Sequence, residues 1–269
     1  MPLWIYNWPD WLIGMVTVGG CVALAAGGHA LRRRWCGLRL PRGEDAMLLG
    51  IGLLLGTLSL VLLALCGFAG LDAANRTERM VQQEAGAIGG LGRSLAVMAP
   101  EESRLAREQL RAYTRSVIFK EWPAMQAGHS SLTTWDAFDT LFRSLSGIQP
   151  TNASERALMP EVWQSTLQLL QLRQARLQAA QPAVPAALWA VTTASTGLTL
   201  GLLTLLPAHR RGQMVLMLSS GLLGLGLSVA IALDRPFCRS SCPAADPFET
   251  ALQRMERWDL QTTRSRSPP

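Results

Sequence analysis

Charge is scarce in this chain, where Asp, Glu, Lys and Arg make up 16% of 269 residues. It is missing altogether from four stretches, Trp11 to Leu31, Ala46 to Gly70, Ala183 to Leu206 and Gln213 to Leu233. Each approaches or exceeds the roughly 20 residues that a helix needs to cross about 30 Å of hydrocarbon. An ordinary soluble domain with a mixed surface is therefore excluded. Nor does any Asp, Glu, Lys, Arg or His lie near the middle of a run, which argues against proton-coupled or charge-coupled transport.

Catalytic and metal-binding patterns are lacking too. The three histidines, His29, His129 and His209, are scattered over a span end, a loop and a short turn, so neither a metal triad nor a catalytic dyad follows. Five cysteines form no framework: Cys21 and Cys66 lie in apolar runs as small hydrophobes, and Cys36 lies in a short loop. Cys238 and Cys242 have a Cys-x-x-x-Cys spacing that could close a small disulfide or stay as free thiols; as a zinc site they offer only two ligands. No cofactor pattern is present, and the expectation is a protein that is not an enzyme. The net charge of +6 is spread thinly, without a basic face carrying interleaved aromatics, so no nucleic-acid partner is expected.

What the chain does have is an order. The expected fold is all-α, a polytopic membrane protein with four transmembrane helices in two hairpins and a helical extramembrane domain between the second and third spans. Residues 1–70 form an N-terminal anchor and the first hairpin, with spans at about 11–31 and 46–70. Residues 71–182 form the extramembrane domain, 183–233 the second hairpin (spans about 183–206 and 213–233), and 234–269 a C-terminal tail. No Lys or Arg precedes Arg32, so the first run lacks the basic segment of a secretory signal and reads as an uncleaved span. The aromatic cluster Trp4, Tyr6, Trp8 and Trp11 ahead of it suits an interfacial anchor.

Arginines orient these spans. Lys plus Arg outnumber Asp plus Glu by five to two over Arg32 to Asp45, and by two to none over Pro207 to Gly212; Leu71 to Pro182 is nearly balanced at twelve to eleven. Short Arg-rich connections stay cytoplasmic and long domains follow whatever their charge. The expected location is thus the bacterial inner membrane, with the N-terminus, the 71–182 domain and the C-terminus on the periplasmic side. Lipid is one partner, and copies of the chain or other membrane-protein subunits are the others.

Small residues recur every fourth position within the spans: Gly19, Ala23 and Gly27; Gly52 and Gly56; Ser220, Gly224 and Ser228. Such spacing lets helix backbones pack closely in lipid. Thr192, Ser195, Thr196 and Thr199 share one face of the third span, either for packing or as a water-facing pore lining.

In the 71–182 domain, the second span should continue as helix past Gly70, with a bend or break at Gly86, Gly89, Gly90 and Gly92. A helix starts at Pro100 and should end near Glu121-Trp122-Pro123, since proline disfavours a helical Trp122. Helices follow at about Thr134 to Ser146 and Asn152 to Ala180, the latter kinked or restarted at Pro160. Arg173 and Arg176 are candidate partners for the Glu121 carboxylate.

Three local strings carry a resemblance. Glu121-Trp122-Pro123-Ala124-Met125 follows a helix containing Tyr113; Arg173-x-x-Arg176-Leu177 precedes Pro185-x-x-Leu188-Trp189; and Asp234-Arg235-Pro236-Phe237 follows the last span. In this order, over roughly Trp4 to Leu252, they resemble the bacterial bestrophin-like membrane family, a domain of unknown function. Cys238 stands where that family usually has glycine. The resemblance implies structural roles for Glu121, Trp122, Pro123, Arg173, Arg176, Trp189, Asp234, Arg235, Pro236 and Phe237, with the three strings meeting. True bestrophins, more remote, are oligomeric anion channels with a cytosolic bulk, opposite to the side that the arginines favour here. Two functions follow as expectations: an assembly or accessory subunit acting through helix packing and its outer domain, or an oligomeric bestrophin-like ion channel.

Overall fold

The computed structural model describes residues 9–35, 44–98, 100–180, 183–205, 210–234 and 245–264. Among them every regular element is helical. In chain order they are α1 (Asp10–Trp35), α2 (Glu44–Val97), α3 (Pro100–Ser116), a π-helical turn (Val117–Glu121), α4 (Trp122–Gln126), α5 (Leu132–Ser146), α6 (Ala153–Ala179), α7 (Ala186–Leu203), α8 (Arg210–Leu233) and α9 (Asp246–Arg264). Four of these, α1, α2, α7 and α8, hold stretches long and apolar enough to cross a membrane. The chain divides into two compact units, Met1–Ala74 with Pro182–Arg239, and Asn75–Gln181 with Ser240–Pro269.

The first unit is built on close backbone approach. Helix α1 packs along α8, and a Cβ on Gly224 would stand 2.7 Å from Val18 Cα and 3.1 Å from the Thr17 carbonyl. Only glycine permits that contact. Gly28 on α1 meets the Thr204 methyl at the end of α7 in the same way, its would-be Cβ lying 2.8 Å away. Gly52 and Gly56 on α2 lie against Leu203 and Thr199 of α7. Cys21, Ala25, Leu63, Cys66, Leu203 and Leu223 fill the space between the helices, and Cys21 and Cys66 are buried and free. The Ala183 amide donates to the Asp234 carbonyl at 2.8 Å and the Val184 amide to Asp234 Oδ1 at 3.1 Å, tying the approach to α7 to the end of α8. One expected packing stripe is not used: Gly19, Ala23 and Gly27 are exposed. Trp11, Leu24, Leu54, Phe68 and Leu218 are exposed as well, each by more than 60%. Lipid tails, unlike water, accept such a surface.

The second unit has a conventional side-chain core. Val81, Ile88, Leu91 and Leu95 of α2 are fully buried at helical spacing. Where the glycines led us to expect a bend or break, α2 runs as unbroken helix over 54 residues. Gly86, Gly89 and Gly90 floor a groove of about 480 Å³ beside α9 instead, and Gly92 lets Met255 of α9 come close. Each glycine costs a helix up to about 1 kcal/mol relative to alanine, which packing of the opposite face can override.

The helix starting at Pro100 also departs from expectation, because it does not stop before Pro123. It widens into the π turn, where the Trp122 amide donates to the Val117 carbonyl, and continues as α4 with Trp122 helical at φ −59°, ψ −51°. A π turn spreads the backbone by one residue, relieving the clash between the proline ring and the preceding turn. Asn152 caps α6 by accepting from the Glu155 amide at 2.8 Å, while Glu155 Oε2 accepts from the Thr151 amide at 2.9 Å. Helix α6 is continuous through Pro160. In the tail, where we assigned no element, the structure forms α9, with Phe248, Ala251 and Met255 buried.

Candidate functional site

Four charged side chains with no solvent exposure meet in the core of the second unit: Glu84 from α2, Glu121 from the π turn, and Arg173 and Arg176 from α6. The arginines sit three residues apart and so share one face of α6. The π turn re-aims the backbone so that Glu121 enters between them. Arg173 Nη2 donates to Glu121 Oε1 at 2.6 Å, and Arg176 Nη2 donates to Glu121 Oε2 at 2.6 Å. Arg176 Nε completes a fork onto Glu84 Oε2 at 2.6 Å, with Nη2 at 3.1 Å from Oε1. Tyr113 of α3 donates its hydroxyl to Glu84 Oε1 at 3.3 Å.

Aromatic rings enclose the quartet. The Arg173 guanidinium lies 4.0 Å from the centroid of Trp135, and that of Arg176 lies 5.8 Å from Trp122 and 5.6 Å from Phe248. Trp122 and Phe248 meet edge to face at 5.8 Å, which brings α9 onto the same cluster. Such contacts strengthen when desolvated. Arg176 Nη1 lies 2.7 Å from the Met125 sulfur, and Arg173 Nη1 has no hydrogen-bond partner among the described residues.

Electrostatics shift two groups here, Arg176 and Tyr113. Burial works to lower the Arg176 pKa, but the Glu84 charge and hydrogen bond, with Glu121 behind them, outweigh it and raise it above its ordinary value. Tyr113 is held well above the usual phenol value, first by burial and then by the Glu84 carboxylate. Two carboxylates face two guanidiniums, so the cluster is neutral overall, and neither carboxylate is left free for a cation. With no member exposed, the arrangement cannot present an acid or base to a substrate. It can clamp α2, α3, the π turn, α6 and α9 together.

Sequence reasoning brought Glu121 to Arg173 and Arg176, and the structure joins them. It missed Glu84, 37 residues upstream of Glu121. The signal was present, because Glu84 shares the buried face of α2 with Val81, Ile88 and Leu91. Trp189 lies in the first unit, half-buried beside Ile13, Leu227 and Ile231, with its indole nitrogen unpartnered among the described residues. Arg235, Pro236, Phe237, Cys238 and Cys242 lie outside the described residues, as do Cys36, His209 and the aromatics before Pro9.

The hydroxyl face of α7 turns toward α2. Ser59 Oγ lies 2.7 Å from Ser195 Oγ and 3.0 Å from Thr199 Oγ1. Thr192 Oγ1 lies 3.6 Å from Cys66 Sγ, and Thr196 Oγ1 is buried without a partner among the described residues.

Residues 19–240 match the family model of the Bestrophin-like domain. The chain belongs to the bestrophin-like family. With its apolar helices, that makes it a membrane protein. Its fold is similar to that of a variant of a bacterial bestrophin homologue from Klebsiella pneumoniae, with a TM-score of 0.61 at 16% identity, covering 93% of this chain and 98% of that one. A second variant of the Klebsiella homologue has a TM-score of 0.59 at 16% identity, covering 93% and 96%. A structure described only as a membrane protein also has a TM-score of 0.59 at 16% identity, covering 93% and 98%. No curated protein matches this bestrophin-like chain.

Proposed function

We propose that this protein is an oligomeric, ion-conducting member of the bestrophin-like family rather than an enzyme. The observation that carries the reading is family membership over residues 19–240, joined to a fold shared along nearly the whole length with bacterial bestrophin homologues. The exposed face Gly19, Ala23 and Gly27 supports self-association, since unoccupied small residues admit a second helix closely in lipid. Of Thr192, Ser195, Thr196 and Thr199 on α7, all but Thr196 lie beside polar or sulfur atoms of α2, so we assign Thr192, Ser195 and Thr199 to packing, and leave conduction to a path formed between copies. Purified protein reconstituted in planar bilayers should conduct ions as a ring of identical subunits. Silence across ions and voltages, from material shown to be assembled, overturns the reading.

A second reading, an assembly or accessory subunit, draws on the same exposed stripe. Native mass spectrometry separates the two: identical copies favour the channel, and one copy bound to unlike subunits favours the accessory role.

We further propose four spans in the bacterial inner membrane, at about 11–31, 46–70, 183–206 and 213–233, with the N-terminus, residues 71–182 and the tail 234–269 periplasmic. The support is the arginine excess of the two short connections. Thiol labelling of intact spheroplasts after mild reduction should modify Cys238 and spare Cys36. The opposite pattern reverses the orientation.

A further inference from the structure

Two arginines of the second unit stand outside its ion pairs. Arg93 of α2 and Arg254 of α9 are exposed and meet no carboxylate among the described residues, whereas Arg104, Arg115, Arg173 and Arg176 each meet a glutamate. Both line the groove of about 480 Å³ beside α9, and no acid lines it with them. A narrow cleft next to it is lined by Arg107 and Arg111 of α3, and Trp258 borders both spaces. The Arg111 pKa lies below its ordinary value, first through burial and then through the Arg107 charge, with Glu108 and Glu256 acting the other way. Positive charge is crowded around Trp258.

The shape of the groove suits more than a bare ion. Gln82, Gly86, Gly89 and Arg93 recur at helical spacing along α2, and Pro247, Ala251, Arg254 and Trp258 do so along α9, so two stripes wall one space. Gly92 lies against Met255, which puts the neighbouring Arg93 and Arg254 at the same end. From Gln82 to Arg93 the α2 stripe rises about 16 Å. A Cβ on Gly86, Gly89 or Gly90 would meet nothing within 4 Å. Alanine would fit at all three and favour the helix, so within this chain these glycines serve no packing and only deepen the groove. Its volume falls in the range of small-molecule sites, its middle is apolar, and the guanidinium fork at its end matches planar or tetrahedral oxyanions.

We propose that the groove between α2 and α9 binds an organic oxyanion, a carboxylate or a phosphate monoester carried on an apolar body. Arg93 and Arg254 hold the oxyanion, and the body lies over the three glycines against Ala251 and Pro247. Every residue of this site belongs to the second unit. The site needs neither conduction nor a particular side of a membrane, and a non-conducting protein would bind the same ligand.

The test is calorimetric titration of the full chain in mild detergent, against detergent blanks, with 4-phenylbutyrate, phenyl phosphate, neutral 4-phenylbutyramide and inorganic phosphate. One of the two organic anions should bind about tenfold tighter, or more, than both the amide and inorganic phosphate, as charge-assisted hydrogen bonds supply. The anion that does so identifies the head group. Arg93→Gln and Arg254→Gln should each weaken it about tenfold, and Arg104→Gln, outside the groove, should leave it unchanged. Gly89→Leu, which fills the groove from a position with open space around it, should abolish binding without lowering the unfolding temperature. The proposal is overturned if neither organic anion exceeds the amide and inorganic phosphate, or if binding survives Gly89→Leu. Loss of the assembled oligomer in Gly89→Leu, with no anion bound by the unaltered protein, would give the groove to a neighbouring copy and overturn it as well.

Discussion

The two units of this protein solve the same problem, holding helices together, with opposite chemistry. In the first, the described helices meet through missing side chains and through hydroxyls: Gly224 on the Val18 backbone, Gly28 on Thr204, and Ser59 beside Ser195 and Thr199. In the second, helices converge on two carboxylates and two guanidiniums with zero exposure. On the proposed four-span arrangement, the difference follows from solvent. In lipid, apolar surface gains little by leaving the tails, so close backbone contact is the available glue. A unit with a core distinct from its solvent can bury charge, provided each charge finds a partner.

If that contrast is right, the largest loss comes from unpairing the quartet. Glu121→Ala leaves Arg173 without its carboxylate and Arg176 with only Glu84. Breaking a buried pair costs about 3–5 kcal/mol, so thermal unfolding of the detergent-solubilised variant should shift down strongly. Glu84→Ala should behave alike. Replacing Glu121 and Arg173 together by Gln and Met should recover part of the loss. A shift as small as that of an exposed salt bridge would show that the quartet is not the joint described here.

Next in size is the glycine contact. Gly224→Leu drives a side chain into the α1 backbone, and overpacking of this kind costs about 1–3 kcal/mol. Gly19→Leu, at an exposed position, should leave monomer stability unchanged. It should reduce the proportion of assembled oligomer measured by native mass spectrometry. Equal effects of the two on monomer stability would remove the distinction between internal and external small-residue faces.

A smaller effect is pH-dependent. The buried Tyr113 hydroxyl has its pKa raised above the ordinary value of 10.0. A group raised on folding contributes stability that is complete below its unfolded pKa and is lost as pH rises toward the folded one. Unfolding temperature should therefore fall more steeply above about pH 10 than in Tyr113→Phe, whose ring cannot ionise. Parallel profiles would mean that the phenol is not insulated from solvent.

Much of this architecture was legible in the sequence because it rests on local signals. Long uncharged runs mark α1, α2, α7 and α8, and the spacing of Arg173 and Arg176 puts both on one helix face opposite a conspicuous Glu121-Trp122-Pro123. What escaped rests on tertiary context. The π turn has no pattern of its own, and it lets Pro123 continue a helix that proline would ordinarily end. The unbroken α2 depends on Val81, Ile88, Leu91 and Leu95 being packed, which outweighs its glycines. Helix α9 was readable in principle, since Asp246 and Glu249 suit a first turn and Phe248, Ala251 and Met255 share a face. Glu84 was readable likewise, as one charge on an otherwise apolar face.

The smallest expected effect tests the membrane side of the contrast most directly. Ser59 is fully buried, donates to the Leu55 carbonyl at 2.9 Å, and sits between Ser195 and Thr199. Hydrogen bonds between membrane helices average only about 0.6 kcal/mol, because the unfolded helix in lipid also satisfies its hydroxyls locally. Ser59 and Thr199 both have such fallback partners, the Thr199 hydroxyl bonding the Ser195 carbonyl at 2.8 Å. Ser59→Ala should thus lower stability by about that amount, several times less than Glu121→Ala, and Ser59→Val should cost more through its added bulk against α7. A loss from Ser59→Ala equal to that of Glu121→Ala would mean that the hydroxyl cluster, rather than glycine contact, holds α2 to α7.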